Sequence, residues 1–144
     1  MWEGVKRWLI AGVYLTVSAA SITAGEEPHA LSYPRCWVRA LVEKKPLVII
    51  IHTKGCGRCR QLLNELQKVK PTGYILYPAA YETDDVAKQL YERSPGGVPQ
   101  IWIFWQERCQ WQNAMLTGYR PPSKLAAEIR ALMRGSDTAV PLPR

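Results

Sequence analysis

Apolar residues follow two rhythms along this chain of 144 residues. Leu47-Val48-Ile49-Ile50-Ile51 is an unbroken apolar run without polar alternation, which reads as a strand buried on both faces. Ile101-Trp102-Ile103-Phe104-Trp105 is a second strongly β-prone run, and Tyr74-Ile75-Leu76-Tyr77 a shorter one. Around them the spacing turns helical. Ser32-Tyr33-Pro34 opens a helix with Pro at an early position, and Cys36, Trp37, Ala40, Leu41 and Val42 form one apolar face up to Lys44-Lys45-Pro46. Leu62, Leu63, Leu66 and Val69 recur at helical spacing until Pro71-Thr72-Gly73 stops them. Asp84-Asp85 caps a helix through Arg93 that carries Val86, Leu90 and Tyr91. Ser123 starts the last helix, with Leu125, Ala126, Ile129, Leu132 and Met133 on one side.

The breaks complete the outline. Ser94-Pro95-Gly96-Gly97 is loop, and Gln106-Glu107-Arg108 predicts a turn after which Cys109 to about Leu116 returns as a strand. Gly118 marks a bend. The order α-β-α-β-α-β-β-α predicts a single α/β domain with a mixed sheet, over residues 25–134, followed by a flexible tail at 135–144. There is no internal repeat and no inter-domain linker.

The first residues read differently. Lys6 and Arg7 give a positive start, an apolar stretch runs from Trp8 to about Ala20, and Ala19, Ala20 and Ala24 close it before the polar Gly25-Glu26-Glu27-Pro28. This is the layout of a secretory signal peptide over residues 1–24, cut after Ala24; the alternative is a membrane anchor formed by residues 8–24. Either way the remainder is expected outside the cytoplasm, periplasmic or secreted.

Composition then removes several classes. Hydrophobic residues make up 47% of the chain, with six Trp and four Cys, which excludes a long disordered or collagen-like protein. Nineteen Lys+Arg against twelve Asp+Glu give a net charge of +7, and +6 once the leader is gone. The positive residues are scattered, so the charge singles out no nucleic-acid partner. All four cysteines, Cys36, Cys56, Cys59 and Cys109, stay in the exported part, in a compartment where thiols pair or exchange.

Cys56-Gly57-Arg58-Cys59 stands where a buried strand ends and a helix begins. At a helix N-terminus, free backbone N–H groups and the helix dipole favour thiolate over thiol, and cysteine pKa values there fall to about 3.5–7.5. Cys59, one turn inward, is positioned to attack a mixed disulfide at Cys56 and release the partner. Arg58 adds positive charge nearby, and Gly57 permits close approach. Two other readings stay open: half of a zinc site completed by Cys36, Cys109, His29 or His52, and a purely structural disulfide. No second paired motif accompanies the first, so no metal and no cofactor are expected.

From Cys36 to Met133 the sequence resembles the thioredoxin-like superfamily. The pieces that match are Lys45-Pro46-Leu47-Val48-Ile49-Ile50-Ile51, Cys56-Gly57-Arg58-Cys59, Gly97-Val98-Pro99-Gln100-Ile101, and Gly118 followed by the last helix. The resemblance implies a thioredoxin fold, a central mixed sheet flanked by helices. It implies that Pro99 follows a cis peptide bond and faces the Cys pair, whereas a trans proline at a strand start is the alternative. Val98 would offer backbone hydrogen bonds to a bound peptide. It also implies a thiol–disulfide oxidoreductase with a redox-active Cys56–Cys59 disulfide, Cys56 as nucleophile and Cys59 as resolving thiol. Its partners would be protein thiols and disulfides, together with a membrane or soluble redox protein that recycles the pair. Lys45-Pro46-Leu47 and Tyr81-Glu82-Thr83-Asp84 look like the anterior-gradient proteins and like periplasmic thioredoxin-like domains.

Three positions depart from that pattern. Gly55 stands where thioredoxins usually carry Trp, and Gly57-Arg58 replaces Gly-Pro between the cysteines. Ile50 stands where a buried Asp helps deprotonate the resolving thiol, which counts against efficient general reductase activity. The competing expectation is a non-catalytic thioredoxin-like binding module or metallochaperone. His52 reads as a strand-end histidine or as a support for the Cys56 thiolate. Trp102 and Trp105 read as sheet and rim packing, with a peptide-binding role as the alternative because their strand starts beside Pro99. In the resembled fold Cys36 and Cys109 lie at opposite ends of the sheet, so they are expected not to pair.

Overall fold

In the computed structural model, which describes residues 32–135, eight elements follow the expected order. They are α1 (Tyr33–Glu43), β1 (Leu47–His52), α2 (Gly57–Val69), β2 (Ile75–Ala80), α3 (Asp85–Arg93), β3 (Gln100–Glu107), β4 (Gln110–Thr117) and α4 (Pro122–Gly135). The expected leader at 1–24 and the tail beyond Gly135 lie outside the described residues. Among the described residues no helix is long and apolar enough to cross a membrane.

The apolar run becomes β1, one of the two inner strands of a four-stranded sheet ordered β2-β1-β3-β4. β1 and β2 are parallel, and β3 is antiparallel to both β1 and β4. Side chains alternate across a strand. Leu47, Ile49 and Ile51 therefore pack with Cys36 and Ala40 of α1 and with Ala87 and Leu90 of α3. Val48 and Ile50 point the other way, to Leu62 and Leu66 of α2 and Leu125 and Ile129 of α4. All five β1 residues from Leu47 to Ile51 are 0% exposed, and each such burial contributes about 1.5–3 kcal/mol. The absence of polar alternation follows from helices covering both faces.

Three local expectations change. The turn between β3 and β4 lies at Arg108-Cys109, not Gln106 to Arg108. Both residues adopt positive φ (47° and 64°), as a two-residue hairpin of this twist requires. Neither is the Asn or Gly that normally signals such a turn. β2 extends to Ala80 through Pro78, which an edge strand tolerates. Finally, α1 buries Cys36 and Ala40 and half-buries Trp37, but Leu41 and Val42 are exposed. At 100° per residue they join Val38 on the opposite side of the helix.

Candidate active site

The loop that leaves β1 is tied at several points. The Tyr81 N–H donates to His52 O (2.9 Å), the Lys54 N–H to Glu82 Oε1 (2.8 Å) and the Cys56 N–H to Thr53 O (3.2 Å). These bonds anchor the loop to the chain that follows β2 and deliver Cys56 to the start of α2. Cys56 is the N-cap, with extended backbone angles (φ −87°, ψ 101°), and its Sγ accepts the N–H of Cys59 at 3.1 Å. A sulfur thus takes the place usually held by a Ser or Asp oxygen. That position stabilises negative charge on it.

Cys56 and Cys59 are joined in a disulfide, their Cα atoms 5.2 Å apart. Cys59 is 1% exposed, whereas Cys56 is half-buried at the surface. The outer sulfur is therefore the accessible one, and the inner one is shielded. Gly55 and Gly57 flank it, and a Cβ built on either meets nothing within 4 Å, so the rim is open to an approaching chain. The Arg58 guanidinium sits over the Tyr119 ring, 6.0 Å from its centroid. The Tyr119 hydroxyl donates to Glu65 Oε2 (2.7 Å) and Gln61 Nε2 to Glu65 Oε1 (3.0 Å), which holds the Glu65 carboxyl below its ordinary value.

The second wall comes from the start of β3. Gln100 lies opposite Ile51 in the β1–β3 register, so Val98 and Pro99 sit at the same end of the sheet as the cysteine loop. The Val98–Pro99 bond is cis, the isomer the resemblance implies, and the Pro99 side chain is fully buried while Val98 is half-buried. Pro99 O accepts the Gly118 N–H at 2.9 Å, and Gly118 takes φ +87°, a conformation glycine adopts without strain.

Sequence reasoning missed the groups that hold this wall. Gln100 is 0% exposed, and among the described residues it is the one polar side chain in the buried set. Its Nε2 donates to Ser94 O and its Oε1 accepts from Trp102 Nε1, both at 2.7 Å. The only sequence signal is a lone Gln opening an inward-facing apolar run. Tyr119 and Glu65 carried no signal, since they meet across 54 positions, and Glu82 entered only within the Tyr81-Glu82-Thr83-Asp84 motif, with nothing to mark it as the partner of Lys54.

The remaining sequence candidates lie elsewhere. His52 is half-buried at the strand end; burial pushes its pKa down, against the pull of Glu82 and Asp84. Cys36 is 0% exposed with Sγ 4.0 Å from Leu76 O, and burial raises its thiol. Cys109 is exposed in the β3–β4 turn, and no disulfide links it to Cys36. Among the described residues no three His, Cys, Asp or Glu side chains gather as a metal would need, and His29 lies outside those residues. Trp102 and Trp105 are buried in the two core layers, 7% and 8% exposed.

No protein-family model matches the chain, and no curated protein does. Solved structures do. A thioredoxin from Thermus thermophilus is similar with a TM-score of 0.58 and 18% identity, over 72% of this chain and 85% of that one. Chloroplastic thioredoxin z gives 0.56 and 17%, over 73% and 93%. The thioredoxin of Trichomonas vaginalis gives 0.55 and 14%, over 74% and 98%. The mixed sheet between two pairs of helices is common ground with them: the chain has the thioredoxin fold.

Proposed function

We propose that this protein is an exported thiol–disulfide oxidoreductase that exchanges disulfides with protein partners through Cys56-Gly57-Arg58-Cys59. One observation carries the reading. Cys56 caps α2 with its sulfur on the Cys59 N–H, and Cys59 is buried one turn behind it.

In the reducing direction the Cys56 thiolate attacks one sulfur of a partner disulfide, and the other partner sulfur leaves as thiolate. Cys59, once deprotonated, attacks Cys56 Sγ; the partner sulfur leaves with the electron pair, and the Cys56–Cys59 disulfide forms. Two electrons pass from the pair to the partner. Run backwards, the same steps oxidise a partner dithiol. Ile50, fully buried, brings no carboxylate to assist Cys59, so its proton passes to solvent or to the departing thiolate. The loop at Val98 and Pro99 supports docking of an extended partner segment beside the disulfide. A separate redox protein returns the pair to its starting state.

Cys59→Ala leaves Cys56 able to attack but removes the resolving thiol. The variant is expected to accumulate mixed disulfides with partner proteins that dissolve in reductant, and Cys56→Ser to form none. Equal trapping by both variants, or none by Cys59→Ala, would overturn the proposal. Export rests on the apolar run 8–20 after Lys6-Arg7. Recovery of the expressed protein only from the cytoplasm would contradict it.

A further inference from the structure

Large apolar side chains exposed among the described residues are Val38, Leu41, Val42, Val69, Tyr81 and Trp111, and four of these form one face. Val38 (60% exposed), Leu41 (47%) and Val42 (76%) stand at i, i+3 and i+4 on the outer side of α1. Trp111 (41%) joins them from β4, its ring 4.5 Å from that of Trp37 on α1. Leu41 and Trp111 also line an open hollow of about 310 Å³ together with Lys44, Lys45 and Arg108. Soluble surfaces scatter such residues singly; a contiguous patch marks something that covers it.

The charge around the patch is positive. Arg39, Lys44, Lys45 and Arg108 outnumber Glu43 and Glu107. Glu43 is held by Arg39 (2.7 Å) and Lys45 (3.0 Å), while Lys44 and Arg108 make no ion pair among the described residues. We propose that this face lies on an anionic phospholipid bilayer. Aliphatic side chains with an indole at their margin and Lys/Arg between them are the composition of an interfacial element. A second copy of the chain fits poorly, because a two-fold contact would bring two copies of the same positive rim together. The apolar run 8–20 ends only residues 21–32 before α1, a reach of at most about 40 Å. As leader or as anchor, that run brings the chain to a membrane.

This placement orients the molecule. The hollow at the margin of the patch is lined by Lys45 and Pro46 at the entry of β1, and the disulfide follows the exit of that strand at His52, about 20 Å along it. The exchange site then faces away from the lipid, towards soluble partners.

The test uses the full chain, oxidised so that Cys56 and Cys59 are locked, with a fluorophore on the exposed Cys109 while Cys36 stays buried. A second label goes on Ser123→Cys in a Cys109→Ser background, at the opposite end of the molecule, where α4 begins. Vesicles carry brominated acyl chains in phosphatidylcholine alone or with one-third phosphatidylglycerol. Expected are quenching at Cys109 but not at position 123, an anionic preference of at least tenfold that high salt abolishes, and its loss in Lys44→Glu. Val38→Glu/Val42→Glu is expected to abolish the quenching at Cys109. Equal quenching at both labels, quenching indifferent to either variant, or none in anionic vesicles would overturn the proposal, and the last with concentration-dependent dimers would assign the face to a second copy.

Discussion

Cys56 Sγ accepts the backbone N–H of Cys59 at 3.1 Å, so the outer cysteine caps the helix that carries the inner one. The donor is main chain and survives any substitution at position 59 other than proline. The helix terminus, rather than a neighbouring side chain, is therefore expected to be the principal support for a thiolate at Cys56.

Arg58 tests that ranking. Its guanidinium is engaged over Tyr119 and is exposed, where salt and water screen its charge. Arg58→Ala is expected to slow iodoacetamide alkylation of reduced Cys56 at neutral pH by less than about threefold. A loss of tenfold or more would transfer the role to the side chain.

Gln100 is the structural pin of the proline loop. Gln100→Leu keeps volume but strands Ser94 O and Trp102 Nε1. Buried groups without partners cost about 1–3 kcal/mol each, so the variant should lose roughly 2–4 kcal/mol in urea unfolding. Its kcat/KM for disulfide exchange should fall further than its kcat, because the damage lies at the docking wall. Unchanged stability would mean that water or a local shift replaces both bonds.

Asp84 caps α3, its Oδ1 accepting from Val86 N (2.8 Å) and Ala87 N (3.4 Å) while Oδ2 accepts from the Tyr77 hydroxyl. Asp84→Ala should cost about 1–2 kcal/mol for the cap alone, a fall in Tm of several degrees by calorimetry. Asp84→Asn retains a capping oxygen and should recover most of it.

His52 gives the fold a pH dependence. Its pKa is lowered in the folded state, chiefly by burial, so the unfolded chain binds the proton more readily. The neutral imidazole's contribution is intact above its ordinary value of about 6.5 and is lost as pH falls below that towards the folded value. Melting followed from pH 7.5 to 5.5 should show a decline that His52→Gln flattens. The lowered carboxyls of Glu65 and Glu82 act near and below 4.5, outside this window.

Much of this was legible from residue order, and the reasons are physical. Leu47–Ile51 announced a two-sided core because no polar residue interrupts it, and Cys56 to Cys59 announced exchange chemistry because strand end, helix start and spacing coincide. The outer stripe of α1 was misread, since Leu41 and Val42 continue an apolar sequence whose core-facing members are already Cys36 and Ala40. Gln100 and the Tyr119–Glu65 bond were hidden because their partners become neighbours only once the sheet and helices assemble.

The most direct measurement is the pH dependence of Cys56 alkylation in the fully reduced protein, read by mass spectrometry site by site. Cys56 should react far faster than Cys59, with an apparent pKa well below the ordinary 8.5 or so of a free cysteine and inside the range of about 3.5–7.5 found at helix N-termini. A midpoint at or above 8.5, or faster labelling of Cys59, would contradict the assignment of Cys56 as the attacking sulfur.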